Sequence, residues 1–508
     1  MRPPARPAPV RRSPPRHSQT QLPMRWAQRL RHESTVGGSA DRLPQYLRIA
    51  RVISDEVQQG QLPPGQRLPG SRPLATALGV HRNTALAAYE ELTRQGWIES
   101  RQGQGTYVCA AVTPLNPLRN NTPRYALSKT PIRKSTYEPP RRNTLRLMGG
   151  LPDLRLLPTN LIARAYRRSL CSHQRLDYGD PSGDPHLRQT LSEMLSEQRG
   201  LAVPMEQLLV TRGSQLAFYL AARALLNPGD AVAIEEYGYR PIWEVLQRAG
   251  AQLIPVPVDR QGMRIDRLVA LAEQHPNLRA VYVTPHHQYP TTVTLALPRR
   301  QQLLQLASRQ GLAILEDDYD HEFQYEGPPV LPIASLKGAE HVVYVGTLSK
   351  VLAPGLRIGY VAAAAPLIER MRDLRYYIDR QGDLVAEGAV AELIADGELQ
   401  RHLWRTRREY QKRRDHCVAQ LTEHFSKWLH FKKPHGGLAI WARVPRHIRP
   451  PAFAAAALNR SVELQIGQDL HYSQRPSQYL RLGYGYLNEA EMDQALAHLQ
   501  AVFKQLER

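Results

Sequence analysis

Short apolar runs alternate with longer stretches of helical pattern through the second part of the sequence. The runs include residues 231–234, 280–283, 313–315 and 342–345. Because each run has strand length and a helical stretch separates it from the next, the alternation indicates a largely parallel sheet with helices on both faces. The chain has 508 residues, which exceeds what one hydrophobic core usually supports, so we expect two or more domains.

The composition narrows the class of protein. An apolar share of 42% is enough for a packed interior, while the net charge of +21 and the pI near 10.0 favour association with polyanions such as nucleic acid. A basic surface that only keeps the protein in solution explains this charge equally well. Charge alone therefore leaves both interpretations open.

Cysteine usage and apolar run length bear on the compartment. Cys109, Cys171 and Cys417 are too far apart for a zinc site or a redox pair, so we expect no metal and a reducing cytoplasm. No run reaches the roughly 18 apolar residues of a membrane helix, and the N-terminus lacks the apolar core of a signal peptide. We expect a cytoplasmic protein with no membrane partner.

Changes in composition divide the chain into four segments. Residues 1–42 are rich in proline and arginine without an apolar period, which predicts a disordered basic tail, shorter if translation starts at Met24. Residues 43–108 have a globular pattern. Residues 109–145 are polar and rich in proline, which predicts a semi-stiff linker whose arginines contact DNA or keep it soluble. Residues 146–508 contain the α/β pattern.

The globular segment starts with one apolar helix face. Its residues recur at helical spacing: Tyr46, Ile49, Ala50, Ile53 and Val57. After a break at residues 63–65, a second helix is expected from Ser71, as N-cap, to Gly79, where glycine permits a sharp turn. A third helix runs from Arg82 to Leu92. Two short helices joined by a glycine turn are typical of a helix-turn-helix, whose second helix enters the major groove of DNA.

A hairpin follows this helix pair. Residues 97–99 and 106–108 have strand character, and Gly103 and Gly105 suit the tip between them. Such a hairpin beside a recognition helix is a wing, so the segment is predicted to be a winged helix-turn-helix.

Residues 43–108 resemble the GntR family of bacterial regulators through LPPGQRLPGSRPLATALGVHRNTALAAYEELTRQGWIESRQGQGTYV. The resemblance implies these DNA-binding residues, the last two in the wing and near the minor groove: Arg72, Arg82, Thr84, Gln104 and Gly105. Arginine suits the role because its guanidinium grips phosphate or guanine with two parallel hydrogen bonds. His81 stands where the family has serine, so we expect either a weakened helix cap or a DNA contact there.

Two apolar runs of the α/β region lead directly into polar clusters. The first run is followed by Glu316, Asp317, Asp318 and Tyr319, and the second by Gly346, Thr347, Leu348, Ser349 and Lys350. Because the carboxyl ends of parallel strands border one crevice, we expect both clusters to face the same ligand.

The residue types in this crevice match the needs of pyridoxal phosphate. Lys350 is the expected Schiff-base amine, because a dry pocket promotes loss of its proton. Asp317 is expected to pair with the pyridine nitrogen, and Tyr319, two positions on, to reach the ring oxygen. Alone, Asp317 is explained as a strand-end cap and Lys350 as a surface amine, but their joint placement favours the cofactor site.

The cofactor's phosphate requires hydrogen-bond donors. Arg357 offers a forked donor after the turn at residues 353–355. Further donors are expected from Thr347 and from a predicted helix N-terminus that holds Gly213, Ser214 and Gln215.

From residue 149 onward the sequence resembles the aminotransferases of fold type I and, in detail, the MocR subfamily, which fuses them to GntR heads. The resemblance rests on GLPDLRLLP, LDYGDPSGDPHLR, TRGSQLAF, VTPHHQYPTT, RRQQLLQLA, LEDDYDHEFQY, VGTLSKVLAPGLRIGY and KPHGGLAIW. It implies an α/β major domain of fold type I, preceded by an α+β winged helix-turn-helix. It also implies a homodimer with the cofactor site at the subunit interface.

The same resemblance implies three further site residues. Tyr239 stacks on the cofactor ring, and Tyr178 reaches the phosphate of the partner subunit. Arg481, in YLRLGYG, holds a substrate carboxylate, although a surface arginine on a strand is the alternative interpretation. Three departures from the family pattern weaken the case for efficient transamination: Tyr237 replaces a proline, Thr292 a glycine, and Tyr289 the asparagine that bonds the ring oxygen.

The sequence therefore predicts a transcription regulator that binds operator DNA and senses pyridoxal phosphate, or its aldimine with an amine or amino acid effector. The genes controlled are expected to serve vitamin B6 or amino acid and amine metabolism, and the DNA-bound protein to lie on the nucleoid. One alternative is an active aminotransferase with an accessory DNA-binding head. A regulator that retains weak or vestigial half-transamination is intermediate between these two possibilities. A DNA-binding scaffold with an empty cofactor fold is disfavoured, because the lysine, aspartate, tyrosine and arginine are all present.

Overall fold

A computed structural model describes residues 22–35, 43–112, 141, 143–327 and 330–507 of the chain. The chain divides into two compact units, Met1–Thr136 and Tyr137–Arg508. Most of the predicted linker, and the tail on either side of residues 22–35, lie outside the described residues.

The first unit contains four helices and one hairpin among its described residues. They are α1 (Leu22–Thr35), α2 (Gln45–Gln58), α3 (Ser71–Leu78), α4 (Arg82–Arg94), β1 (Ile98–Arg101) and β2 (Gly105–Val108). The strands pair antiparallel, with Ile98 opposite Val108 and Arg101 opposite Gly105. The predicted helix-turn-helix and wing are confirmed, with α4 as the recognition helix.

Helix capping in the first unit differs from the prediction at two positions. Gly70, not Ser71, is the N-cap of α3. Because glycine has no side chain, no side-chain hydrogen bond caps this helix. At α4 the helix is capped after all, because His81 Nδ1 accepts a hydrogen bond of 3.3 Å from the backbone N–H of Asn83. The imidazole thus caps the helix at the position where the family has serine. Gly79 ends α3 in the left-handed conformation, as the turn requires.

The prediction of a disordered tail is wrong for residues 22–35, which form α1. Leu22 and Trp26 are buried in the same apolar cluster as Ile49 and Ile53 of α2. The Trp26 indole N–H donates to Glu56 Oε2 at 2.8 Å, and Arg25 forms an ion pair with the same carboxylate at 2.6 Å. Leu22, Trp26 and the partly buried Leu30 recur every four residues, so α1 packs on the rest of the unit through one narrow apolar face.

The second unit has helices throughout its length. They are α5 (Thr159–Leu170), α6 (Pro185–Arg199), α7 (Ser214–Leu225), α8 (Arg240–Arg248), α9 (Ile265–Gln274), α10 (Leu297–Gln310), α11 (Ala365–Ile378), α12 (Leu384–Ala395), α13 (Glu398–Phe425), α14 (Pro450–Asn459), α15 (Gly467–Leu470) and α16 (Glu489–Leu506). None of the helices in the described part of the chain is long and apolar enough to cross a membrane.

The strands of the second unit form one large sheet and several small ones. They are β3 (Leu145–Arg146), β4 (Leu208–Thr211), β5 (Ala231–Glu235), β6 (Gln252–Val256), β7 (Val258–Asp259), β8 (Gly262–Met263), β9 (Leu278–Val283), β10 (Ala313–Asp318), β11 (Val342–Thr347), β12 (Gly359–Ala362), β13 (His430–Phe431), β14 (Ala439–Arg443), β15 (Val462–Glu463), β16 (Gln465–Ile466) and β17 (Tyr479–Gly483).

The large sheet has the order β4-β12-β11-β10-β9-β5-β6. Strands β11, β10, β9, β5 and β6 are parallel to one another, whereas β12 runs antiparallel to both β11 and β4. The expected largely parallel sheet is confirmed, with one reversed strand. A second sheet, β13-β14-β17-β16, is antiparallel.

Both faces of the large sheet are buried. Successive residues of one strand belong to different apolar clusters: Ile314 of β10 packs on one face of the sheet and Leu315 on the other. Burial on both faces explains why these strands read as continuous apolar runs without alternation. It also means that polar side chains cluster only where the strands end.

Replacing Trp26 by alanine tests the role of α1. The substitution removes a fully buried indole and leaves Glu56 without its N–H donor, so we expect the first unit to lose about 3–5 kcal/mol of stability. Hydrogen exchange followed by mass spectrometry should show faster exchange across residues 45–108 in the full chain. The exposed Gln28 of the same helix is the control, and Gln28→Ala should exchange like wild type. Equal protection in Trp26→Ala would contradict the packing of α1.

Candidate cofactor site and DNA-binding surface

A cavity of about 330 Å³ opens beside the carboxyl ends of β9, β10 and β11. Its volume is in the range of small-ligand sites. The cavity is lined by Arg146, Met148, Gly149, Gly150, Leu151, Ser214, Gln215, Tyr239, Tyr282, Thr284, Tyr289, Asp317, Tyr319, Thr347, Ser349, Lys350, Pro354, Arg357 and Gln465. Asp317 and Tyr319 of the first predicted cluster and Thr347, Ser349 and Lys350 of the second line this cavity, whereas Glu316 and Asp318 do not.

Asp317 is the buried acid of the cavity. It lies at the end of β10, opposite Val345 of β11, and its side chain accepts a hydrogen bond of 2.7 Å from the Tyr282 hydroxyl. Burial raises the pKa of Asp317 to about 7, although the Tyr282 hydrogen bond opposes this shift. A cationic N–H beside Asp317 would relieve the cost of burying its charge.

Lys350 is the buried amine of the cavity. It follows β11, and its Nζ lies close to the backbone of Gly150, where an added Cβ would be 3.9 Å away. Burial, followed by the nearby Arg481 charge, lowers the pKa of Lys350 to about 8, while Asp320 and Asp317 act in the opposite direction. The uncharged form that a nucleophile requires is therefore more populated near neutral pH than in an exposed lysine.

Tyr319 also lines the cavity, but its hydroxyl already has a partner. The hydroxyl donates to the backbone carbonyl of His287 at 2.7 Å. A phenol oxygen keeps acceptor capacity when its proton is used, so this bond fixes the ring without excluding a ligand contact.

Arg357 and the start of α7 form one end of the cavity. Arg357 has a left-handed backbone with φ 53°, and its Nη2 donates to the carbonyl of Arg212 at 3.0 Å. Gly213, the N-cap of α7, has φ 75°, and a Cβ there would come within 3.0 Å of the Arg357 guanidinium. Glycine is needed both for the backbone and for this close approach. A helix N-terminus beside an arginine is suited to a phosphate.

Thr347, Ser349, Ser214 and Gln215 bring further polar groups to this end. The Thr347 and Ser349 hydroxyls lie 3.0 Å apart. The expected donors Thr347, Ser214 and Gln215 therefore line the cavity, and Gly213 borders Arg357 behind them.

Arg481 is buried, and the alternative of a surface arginine is wrong. It lies on β17 with 1% exposure, and its guanidinium lies 4.1 Å from the centre of the Tyr289 ring. Its Nε and Nη1 have no hydrogen-bond partner among the described residues. A buried cation with free donors beside Lys350 and Tyr289 is a place for an anionic group.

The two tyrosines implied by the family resemblance lie in different settings. Tyr239 lines the cavity and contacts the Tyr289 ring edge to face at 5.5 Å. Tyr178 does not line the cavity of its own chain. It is 75% exposed, and the guanidinium of Arg380 lies 4.3 Å from its ring centre.

The three departures from the family pattern have different structural consequences. Thr292 has φ 64°, a left-handed conformation that is strained for a β-branched residue and natural for the family's glycine. Tyr289 lines the cavity, and its hydroxyl accepts a hydrogen bond of 3.1 Å from Gln465. Tyr237 packs edge-on against Trp441 instead of lining the cavity.

Several lining residues were not predicted, among them Tyr282, Thr284 and Gln465. Tyr282 and Thr284 flank the end of β9. They could have been predicted, because the carboxyl ends of neighbouring parallel strands border one crevice. Thr284 is held by the buried Glu235, whose Oε2 accepts its hydroxyl at 2.6 Å. Burial raises the pKa of Glu235 to about 8. Gln465, from the second sheet, has no local signal.

The expected DNA-binding residues lie on exposed parts of the first unit. Arg72 and Arg82 are exposed, and neither side chain has an ion pair among the described residues. Thr84 is half-buried in the first turn of α4, while Gln104 and Gly105 are exposed at the wing tip. Unpaired arginines at helix starts suit phosphate or base contacts.

Arg67 is an additional candidate beside the wing. It is exposed, and a Cβ on Gly105 would lie 3.1 Å from its Nε. Arg67, which the sequence pattern did not single out, therefore lies next to the wing.

The cavity fits pyridoxal phosphate, the cofactor that this arrangement implies. A buried amine with a lowered pKa and a buried acid border it, Gly213 leaves space that a Cβ would fill, and the nearby Arg481 has donors without a partner among the described residues.

Comparisons with known proteins identify both units. The family of class I and II aminotransferases matches residues 150–499, and the gntR family of bacterial regulatory proteins matches residues 45–108. The chain is 31% identical over 474 residues to the probable rhizopine catabolism regulatory protein MocR of Rhizobium meliloti, covering 92% of this chain and 95% of that protein. It is also 31% identical to the HTH-type pyridoxine biosynthesis transcriptional regulator PdxR of Corynebacterium glutamicum, covering 72% of this chain and 76% of that one.

Solved structures resemble the second unit. The multiple substrate aminotransferase of Thermococcus profundus has a TM-score of 0.67 and 28% identity, covering 72% of this chain and 93% of that chain. The kynurenine aminotransferase of Pyrococcus horikoshii, solved in complex with PMP, has the same TM-score and identity and covers 72% of this chain and 91% of that chain. The protein therefore belongs to the MocR-type transcription regulators, in which a GntR DNA-binding head is joined to a domain of the class I and II aminotransferases.

Proposed function

We propose that this regulator binds operator DNA through Arg72, Arg82, Thr84 and the wing, and senses pyridoxal phosphate together with an amine or amino acid. The observation that carries the proposal is that Lys350 and Asp317 border one buried cavity in a chain that also has a DNA-binding head. The genes controlled belong to vitamin B6 or amino acid and amine metabolism. Such a regulator works in the cytoplasm, on the nucleoid.

The predicted site residues have separate roles in this proposal. Bound pyridoxal phosphate supplies an aldehyde that reacts with primary amines. Lys350 provides the amine that holds it, and Asp317 accepts a hydrogen bond from the pyridine nitrogen. Arg357, Thr347 and the N-terminus of α7, with Gly213, Ser214 and Gln215, bind the phosphate. Tyr239 and Tyr319 border the ring.

Arg481 points to the chemical class of the effector. Arg481 is not among the residues that line the cavity, but it contacts the lining residue Tyr289, and its Nε and Nη1 have no partner among the described residues. A carboxylate that reaches these donors would gain charge-assisted hydrogen bonds. This favours an amino acid over a simple amine.

The proposed assembly is a homodimer with the cavity near the subunit interface. Tyr178 is a large side chain with 75% exposure, which supports a contact with the partner subunit. Two heads on one dimer would bind a pair of half-sites.

A weak or vestigial transaminase is the second candidate, favoured by the low pKa of Lys350 and by the carboxylate site at Arg481. Tyr289, in place of the family's asparagine, opposes efficient turnover. Steady conversion of an amino acid and a keto acid would favour the enzyme over the sensor.

Lys350 is expected to capture pyridoxal phosphate with a characteristic pH dependence. The pKa of Lys350 is lowered to about 8, so its amine is protonated below that pH and uncharged above it. The rate at which the visible absorption of the bound cofactor develops should therefore rise with pH, with a midpoint near 8 and not near 10.5.

Two variants control this measurement. Lys350→Ala should develop no such band at any pH, whereas the exposed Lys337→Ala should behave like wild type. A band that persists in Lys350→Ala would refute the proposed attachment site.

Arg82→Ala is expected to weaken operator binding by about 1–3 kcal/mol, because a free guanidinium at the start of α4 is lost. Fluorescence anisotropy with the DNA upstream of the protein's own gene measures this, at several salt concentrations. Arg94 is the matched control: it lies on the same helix but is exposed and paired with Glu91 at 2.5 Å. If Arg82→Ala bound the operator as tightly as Arg94→Ala, the proposed contact of Arg82 with DNA would be refuted.

A further inference from the structure

His286, Asp318 and His321 form a cluster that the cofactor site does not use. Asp318 follows Asp317 on β10, so its side chain leaves the opposite face of the strand. The three side chains offer ligand atoms that all lie within 4.8 Å of one another. His286 and Asp318 are buried, with 5% and 2% exposure, and the side chain of His321 has 9%.

Two acceptor atoms face each other in this cluster without a partner. His286 Nε2 lies 2.6 Å from the carbonyl oxygen of Val330, which can only accept, so the proton of the neutral ring is on Nε2. His286 Nδ1 then carries a lone pair. It lies 3.4 Å from Asp318 Oδ1, and neither atom has a hydrogen-bond partner among the described residues.

A proton shared between these two atoms does not explain the geometry. A charge-assisted hydrogen bond between an imidazolium and a carboxylate is roughly 2.7–2.9 Å long, shorter than the 3.4 Å observed. Two buried acceptors at that separation are, in contrast, the arrangement that a cation between them would stabilise.

The other carboxylate oxygen is already oriented by the protein. Asp318 Oδ2 accepts a hydrogen bond of 2.5 Å from the Tyr344 hydroxyl and lies 3.2 Å from Arg199 Nη1. His321 Nδ1 lies 3.3 Å from this oxygen and 3.2 Å from His286 Nε2. Outer hydrogen bonds of this kind fix a ligating carboxylate and leave its second oxygen free. The positive charge of Arg199 would oppose a cation, but Arg199 also forms an ion pair with Glu322, which compensates it.

We propose that His286, Asp318 and His321 bind a divalent transition-metal ion, such as Zn²⁺. Two imidazoles and one carboxylate are typical ligands of zinc, with water completing the tetrahedron, whereas Mg²⁺ and Ca²⁺ prefer oxygen ligands alone. The site is separate from the cofactor cavity and does not depend on the proposed function.

Metal binding at this site would act on the cofactor cavity through the backbone. Asp318 and His321 flank Tyr319, which lines the cavity from the same segment. A metal that ties Asp318 to His321 would fix this segment. This consequence, unlike the metal site itself, rests on the proposed function: the response to the cofactor would become sensitive to metal.

Cobalt titration of the full-length protein tests the site. Co²⁺ replaces Zn²⁺ in tetrahedral sites and then absorbs strongly in the visible region. We expect one Co²⁺ per chain with such bands, displaced by Zn²⁺, and a rise in melting temperature on adding Zn²⁺. His321→Ala should lose affinity by more than about tenfold, as loss of a ligand exceeds the effect of outer contacts.

Two further variants keep the test decisive. The exposed His424→Ala, far from the cluster in sequence, should bind like wild type. His286→Asn retains a polar group of similar reach and tests the site should His321→Ala fail to fold. Absence of the bands in wild type, or their persistence at full affinity in folded His321→Ala or His286→Asn, would overturn the proposal.

Discussion

Burial of an amine and an acid in one cavity is the constraint on which the rest of the site depends. Lys350 and Asp317 are both removed from water, so each disfavours its charged form: the pKa of the amine falls to about 8 and that of the acid rises to about 7. Neither shift stabilises the free protein. Both become useful when a ligand arrives with an aldehyde for the amine and a ring nitrogen for the acid.

The large sheet creates this situation through its register. Asp317 of β10 lies opposite Val345 of β11, two residues before that strand ends, and the chain then turns to place Lys350 over the same cavity. Because both faces of the sheet are covered by apolar clusters, strand ends are where polar side chains converge. Arg357 and Gly213, both with positive φ, lie at the end of the cavity that we propose to bind the phosphate.

Those parts of the fold and site that depend on local pattern could be predicted from the sequence. The strand runs, the helix pair with its glycine turn and the polar clusters after β10 and β11 are all local signals. What depends on distant contacts could not be predicted. Helix α1 is held by Trp26 against Glu56, 30 residues away, and the burial of Arg481 follows only once β17 is packed. His321 lies three residues after Asp318, but His286 approaches this pair from a separate segment 32 residues before Asp318.

The central claim is that the ligand in the cavity alters DNA binding by the head. The affinity of the full-length protein for its operator, measured by anisotropy with and without pyridoxal phosphate, tests this most directly. We expect a change of about 5-fold or more in wild type, the lower bound of typical allosteric coupling, and none in Lys350→Ala. Identical affinity with and without the cofactor in wild type would contradict it.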